Sequence, residues 1–225
     1  MTGVSALARK AVFYFAMGVV ATCLMLFLPA GTLDYWQAWL FMAVIFTPVV
    51  FVGVYFMKTN PDFLERRLKF KEKEPEQKKI INFSTWFFLA AILIPGLDRR
   101  FGWSSVPSEL VVIADAVFLL GYILTIIVFK ENPYAGRTVE VVKGQKLVST
   151  GLYSIVRHPM YAAQLLIYTA VPIALGSYVA LPFFLVMPVV LVFRLKNEEQ
   201  VLLAGLPGYK AYCKKTRYRM IPGVW

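Results

Sequence analysis

"PMYAAQLLIYTAVPIALGSYVALPFFLVMPVVLVFRL", residues 159–195, decides how this chain folds. It carries no charge before Arg194 and has Gly176-Ser177 near its middle. A helix needs roughly 20 apolar residues to cross a bilayer. A helix also satisfies its own backbone in hydrocarbon, where open strands do not. The stretch therefore reads as a helical hairpin with arms 159–175 and 178–195, turning at Gly176-Ser177. Pro172, Pro182 and Pro188 fall inside the arms. A packed bundle tolerates such prolines, so the arms are expected to be oblique or kinked.

Upstream, the same character recurs in longer blocks at 11–30, 36–56, 79–97 and 109–129, and Asp115 is the only charge in their interiors. Of the 225 residues, 59% are hydrophobic, and mean hydropathy is +0.63. The expectation is an all-α integral membrane protein with about six transmembrane helices, five being the alternative. Arg9 and Lys10 ahead of an apolar run imitate a signal peptide. With further spans downstream, that run is better read as a retained first helix.

The net charge of +11 raises the question of nucleic acid, and its distribution answers it. With the N-terminus in the cytoplasm, six spans place every Lys and Arg except Arg99 and Arg100 on the cytoplasmic side. The positive-inside rule gives that bias, and no nucleic-acid recognition motif or aromatic-interleaved basic patch is present. The expected partners are membrane lipids and a lipophilic substrate, with no nucleic acid; oligomeric state is not encoded legibly. Cys23 and Cys213 lie too far apart in this topology for a disulfide or a CxxC-type metal site.

The chain divides into N-terminal transmembrane helices, 1–130, and a functional core, 131–225. In the first part the basic loop 58–79 contains "PDFLERRLKF". That segment is either a solvated loop or a short interfacial helix, with Phe63, Leu64 and Leu68 toward lipid and Arg66, Arg67 and Lys69 toward head groups. In the second part, "ENPYAGRTVEVVKGQKLVSTGLYSIVRHPMY" precedes the hairpin and "RLKNEEQVLLAGLPGYKAYCKKTRYRMIPGVW" follows it. The hairpin brings both flanks to one membrane face. "TVEVV" alternates like a short extended stretch; "NEEQVLLAGL" and "YKAYCKK" read as helical.

No GxGxxG, GxxxxGK, HExxH or GxSxG pattern occurs, so the familiar phosphate cradles and hydrolytic sites are absent. Pro159 suits a first helical turn. Arg157 and His158, just before it, sit where free N–H groups and the helix dipole favour an anion. They form either a carboxylate site or a snorkelling arginine beside a packed histidine. Glu198 and Glu199 emerge at the same face. Adjacent helical positions point about 100° apart, so at most one is expected to face His158. Tyr153, Tyr161, Tyr209, Tyr212 and Tyr218 crowd the flanks, as a membrane belt or as hydroxyl donors and cation-binding rings. Asp115 is expected to make a bundle-facing hydrogen bond.

Together, "LVSTGLYSIVRHPMYAAQ", the hairpin and "NEEQVLL…PGYKAYCKKTRYRMIP" resemble the isoprenylcysteine carboxyl methyltransferase and phospholipid methyltransferase superfamily of integral-membrane enzymes. The resemblance implies that S-adenosylmethionine is the cofactor, held without a Rossmann domain. It assigns cofactor binding to Tyr153, Arg157, His158, Pro159, Tyr161, Glu198, Tyr209 and Tyr212, and catalytic roles to Arg157, Glu198 and Glu199. Arg217 or Arg219 falls in the C-terminal segment of the motif. Leu206-Pro207-Gly208 stands where prenylcysteine enzymes carry a Gly-acid-acid run, which weighs against a prenylated protein as substrate more than against the cofactor. The expected activity is methyl transfer to a lipophilic acceptor: an isoprenylcysteine-like carboxylate, a phospholipid amine or a thiol. The alternatives are an NADPH-dependent, sterol-reductase-like membrane enzyme and a non-enzymatic scaffold or transporter.

Overall fold

Short polar residues followed by proline set several of the helix starts in this protein. The computed structural model describes residues 2–68, 74–135 and 138–225, with side chains from residue 6 onward. Helix α1 runs Thr2–Ala30 and α2 Trp36–Thr59. Asn60 closes α2 and, through its side chain, accepts from the Phe63 amide to cap α3, Pro61–Arg67. Glu74 caps α4, Pro75–Ala91, by accepting from the Gln77 amide at 2.7 Å. Such caps satisfy amides that the first helical turn leaves free. After a break at Ile92-Leu93 the chain resumes as α5, Ile94–Phe101, with Pro95 in its first turn. Then come α6, Ser108–Glu131, the short α7, Leu152–Ile155, and α8, Pro159–Ala174. The chain ends with α9, Leu181–Phe184, α10, Val186–Gly205, and α11, Tyr209–Lys215. No strand occurs among the described residues, and "TVEVV", 138–142, follows an irregular path.

Among the described residues, four helical stretches are long and apolar enough to cross a membrane: Ala6–Ala30, Trp36–Thr59, Pro75–Phe101 and Ser108–Glu131. A fifth, α8, is apolar but only 16 residues long. The hairpin turns where expected, with Gly176 at φ 73°. Its second arm, however, is not one long apolar helix. Pro182 opens the single turn of α9, and α10 joins an apolar first half to a charged second half beginning at Arg194. The outer surface carries large apolar side chains, including Leu28, Phe51 and Trp86.

Small residues let the helices approach closely. A Cβ on Gly121 of α6 would lie 2.9 Å from the Ala163 carbonyl oxygen of α8, and one on Gly96 of α5 would lie 2.6 Å from that of Leu26 in α1. Around these contacts Leu26, Phe41, Phe118, Val171 and Phe184 form the main core. At the hairpin turn, the Tyr35 hydroxyl donates to the Leu175 carbonyl. There too the buried Asp98 carboxylate accepts from the Ser104 amide and from the hydroxyls of Ser104 and Ser177. This polar knot pins the turn to the N-terminal helices, so α8 and α10 rise from a fixed base.

Two expectations are corrected. Residues 61–67 are helical, but Phe63 points inward, 2% exposed, between the rings of Phe56 and Phe129. Arg67 stacks over Phe129 and Arg66 donates to the Pro133 carbonyl, so α3 packs on the ends of α2 and α6 rather than in lipid. Lys69 lies outside the described residues. Asp115 does face the bundle, at 4% exposure, yet neither carboxylate oxygen has a hydrogen-bond partner. Its neighbours along that face of α6, Val111, Ala114 and Phe118, are all apolar.

Candidate functional site

The polar flanks meet at the end of the bundle away from the Asp98 knot. His158 occupies the N-cap position of α8 but does not cap it; its imidazole turns toward α10. The backbone of the same turn is held by the last residues of the chain. The Arg157 amide donates to the Tyr218 carbonyl at 2.9 Å, and the His158 amide to that of Arg219 at 2.8 Å.

Glu199 is the hub. Its Oε1 lies 2.8 Å from Arg157 Nε and 3.3 Å from His158 Nε2, while Oε2 accepts from Arg219 Nε at 2.8 Å. Burial alone would raise this carboxyl. The hydrogen bonds from His158 and Arg219, with the charge of Arg157, outweigh it and hold the carboxyl down at about 2. Of the two readings of Arg157 and His158, the structure has the carboxylate site, and its carboxylate belongs to the chain itself.

Glu198 is engaged separately. Its Oε2 accepts from the Tyr161 hydroxyl at 2.5 Å, and that hydroxyl accepts from Arg194 Nε at 3.1 Å. The two acids point apart, as adjacent helical positions do, and only one of them meets His158. Glu199 meets His158, and Glu198 lines the cleft beside it. Two tyrosines of α11 complete the wall. The Tyr209 hydroxyl lies 3.4 Å from His158 Nε2, and the Tyr212 hydroxyl donates to the Tyr153 carbonyl at 2.7 Å. Burial pushes the phenols of Tyr153, Tyr209 and Tyr212 upward, so they stay protonated donors near neutral pH.

These groups surround a cleft of about 830 Å³, mouth included. Tyr153, Arg157, His158, Pro159, Tyr161, Glu198, Tyr209 and Tyr212 all line it, and Glu199 supports it from behind. Of the two C-terminal arginines, Arg219 joins the cluster; Arg217 is exposed. Sequence reasoning missed the opposite wall. Residues 138–148 form an irregular strap across the cleft, with Val141 and Leu147 packed on the Leu206, Tyr209 and Tyr212 cluster. It also missed Glu131, which accepts from the Leu152 amide and the Thr150 hydroxyl and so holds α7 in place. Gly151 between them has φ 47°, and a Cβ there would lie 2.0 Å from a Glu131 oxygen. Asn132, Tyr134 and Arg194 also line the cleft. The turn-forming Asn132-Pro133 pair was the one visible signal.

Residues 110–206 match the model of the phospholipid methyltransferase family. That segment, somewhat under half of the chain, runs from α6 through α10. Among curated proteins, the chain is similar to the Delta(14)-sterol reductase of Mus musculus, 33% identical over 105 residues, which make up 43% of this chain and 25% of that protein. It is also similar to a probable 7-dehydrocholesterol reductase of Acanthamoeba polyphaga mimivirus, 33% identical over 86 residues, covering 37% and 19%. The similarity thus spans a quarter or less of the length of these relatives. The protein is a multi-pass integral membrane protein whose cleft is built by the matched segment and the residues that follow it.

Proposed function

We propose that this protein is an integral-membrane methyltransferase that carries a methyl group from S-adenosylmethionine to a lipophilic acceptor at the membrane–cytosol boundary. The observation that carries the reading is the charge layout of the cleft. Arg157, the deepest cation, is tied to Glu199, while Glu198 and five tyrosines face the cavity. A carboxylate among aromatic rings suits a small zwitterion with a cationic centre.

S-adenosylmethionine supplies a sulfonium-bound methyl group for in-line displacement. Its positively charged portion would be held by Glu198 with the rings of Tyr153 and Tyr161, and its polar groups by the hydroxyls of Tyr153 and Tyr209. The Glu199 cluster keeps Arg157 and His158 fixed, and the strap 138–148 restricts water. Such sites act mainly by alignment of the reacting groups. A carboxylate acceptor needs no base; an amine or thiol must lose a proton, and His158 or Glu198 is within reach of the cleft to take it. Isoprenylcysteine-like carboxylates, phospholipid amines and thiols all remain acceptor classes to test. The basic flanks support a cytoplasmic side for the cleft and both termini.

The similarity to two sterol reductases favours a second reading, an NADPH-dependent reductase. Calorimetric titration of detergent-purified protein with S-adenosylhomocysteine and, separately, with NADPH decides between them. Binding of S-adenosylhomocysteine alone, weakened in His158→Ala, is the expected result. Binding of NADPH alone overturns the methyltransferase reading in favour of the reductase.

A further inference from the structure

Asn132 ends α6, and its side chain has only one way to face. The Pro133 nitrogen carries no hydrogen, and the next amide, that of Tyr134, donates to Asn132 Oδ1 at 2.9 Å. This side chain–backbone turn fixes which end of the amide is oxygen. The other end, Nδ2, therefore points at Tyr153 and donates to its hydroxyl oxygen at 2.8 Å. A phenol that accepts such a bond still has its own hydrogen to give. No described residue takes it. Both side chains line the cleft. Tyr161 differs: it accepts from Arg194 and donates to Glu198, so its hydroxyl is already committed in both directions.

We propose that Asn132 is a positioning residue that turns the Tyr153 hydroxyl hydrogen into the cleft, to be donated to an acceptor atom of the bound adenosyl cofactor. The proposal rests on the methyltransferase reading for the identity of the ligand. Asn132 reads nothing itself; it sets the direction of the Tyr153 bond. Asparagine and aspartate have almost the same shape here, but they impose opposite directions. In Asn132→Asp one carboxylate oxygen still accepts from the Tyr134 amide, so the turn survives. The other oxygen must accept from Tyr153, which takes the hydroxyl hydrogen away from the ligand.

The test is titration of the full-length detergent-solubilised protein with S-adenosylhomocysteine in four forms: wild type, Asn132→Asp, Tyr153→Phe and the double variant. Each single variant is expected to weaken binding about 5- to 10-fold, the scale of one lost hydrogen bond. In the Tyr153→Phe background, Asn132→Asp is expected to have little further effect. The added negative charge is the same in both backgrounds, so this coupling isolates the hydroxyl. Wild-type affinity in Tyr153→Phe, or losses that simply add, would overturn the proposal while leaving the methyltransferase reading intact. Absence of S-adenosylhomocysteine binding by the wild type removes both.

Discussion

At Glu199 three parts of the chain converge on one carboxylate: α10, the turn before α8 and the C-terminal residues. Removing one partner of a buried ion pair leaves the others uncompensated, at a cost of about 3–5 kcal/mol. Glu199→Ala is expected to lower stability on that scale, read as a fall in the thermal midpoint in detergent, with activity lost. Glu198→Gln should behave differently. It keeps the midpoint but lowers turnover at least ~10-fold, since a charged hydrogen-bond partner is lost from the cleft wall. Equal midpoints and full turnover in both variants would show the acidic pair to be a solvated helix turn. The low folded value of Glu199, about 2 against 4.5 for the free group, also fixes a pH dependence. Because the folded value is depressed, the stabilisation is fully present above about pH 4.5. It is lost as pH falls toward 2, and amounts to on the order of 3 kcal/mol. The thermal midpoint should be level from pH 7 to pH 5 and fall below that, a fall that Glu199→Gln should largely lack.

Among the elements, α6 and α8 form the closest pair that bears on the site. Gly121 leaves no room for a side chain against Ala163 and Ile167. Gly121→Leu should force α8 away from α6 at a cost of about 1–3 kcal/mol. The measurement is thermal unfolding in detergent together with S-adenosylhomocysteine affinity; an unchanged midpoint would mean the two helices are not locked at this contact. The start of α8 at Pro159 was legible from its proline, and that of α3 at Pro61 under one of two readings, whereas the start of α4 at Glu74-Pro75, ahead of the apolar block 79–97, was not. The facing of α3 was not. Hydropathy records that Phe63 avoids water, but lipid and protein core are equally apolar, and only packing against Phe56 and Phe129 tells them apart.

For the whole molecule, the distribution of Lys and Arg predicts the orientation in the membrane. In a variant without Cys23 and Cys213, a cysteine placed at Lys214 should react with an impermeant thiol reagent only from the cytoplasmic side, and one at Trp103 only from the opposite side. The reverse pattern would invert the topology and move the cleft out of the cytosol. The sequence by itself determined that the chain is helical and membrane-embedded, and that polar flanks accompany a hairpin at 159–195. Composition and the spacing of apolar blocks are enough for that, because a bilayer admits so few backbone solutions. The residues that line the site were legible through a motif, Tyr153 to Tyr161 with Glu198 and Glu199. Only the tertiary structure decided which acid is the buried hub and which faces the cavity, that Arg219 rather than Arg217 completes the cluster, and that Asn132 and the strap 138–148 form the facing wall. Those choices depend on contacts between segments tens of residues apart, whose directions are set by helix packing and hydrogen bonds rather than by any local pattern in the chain.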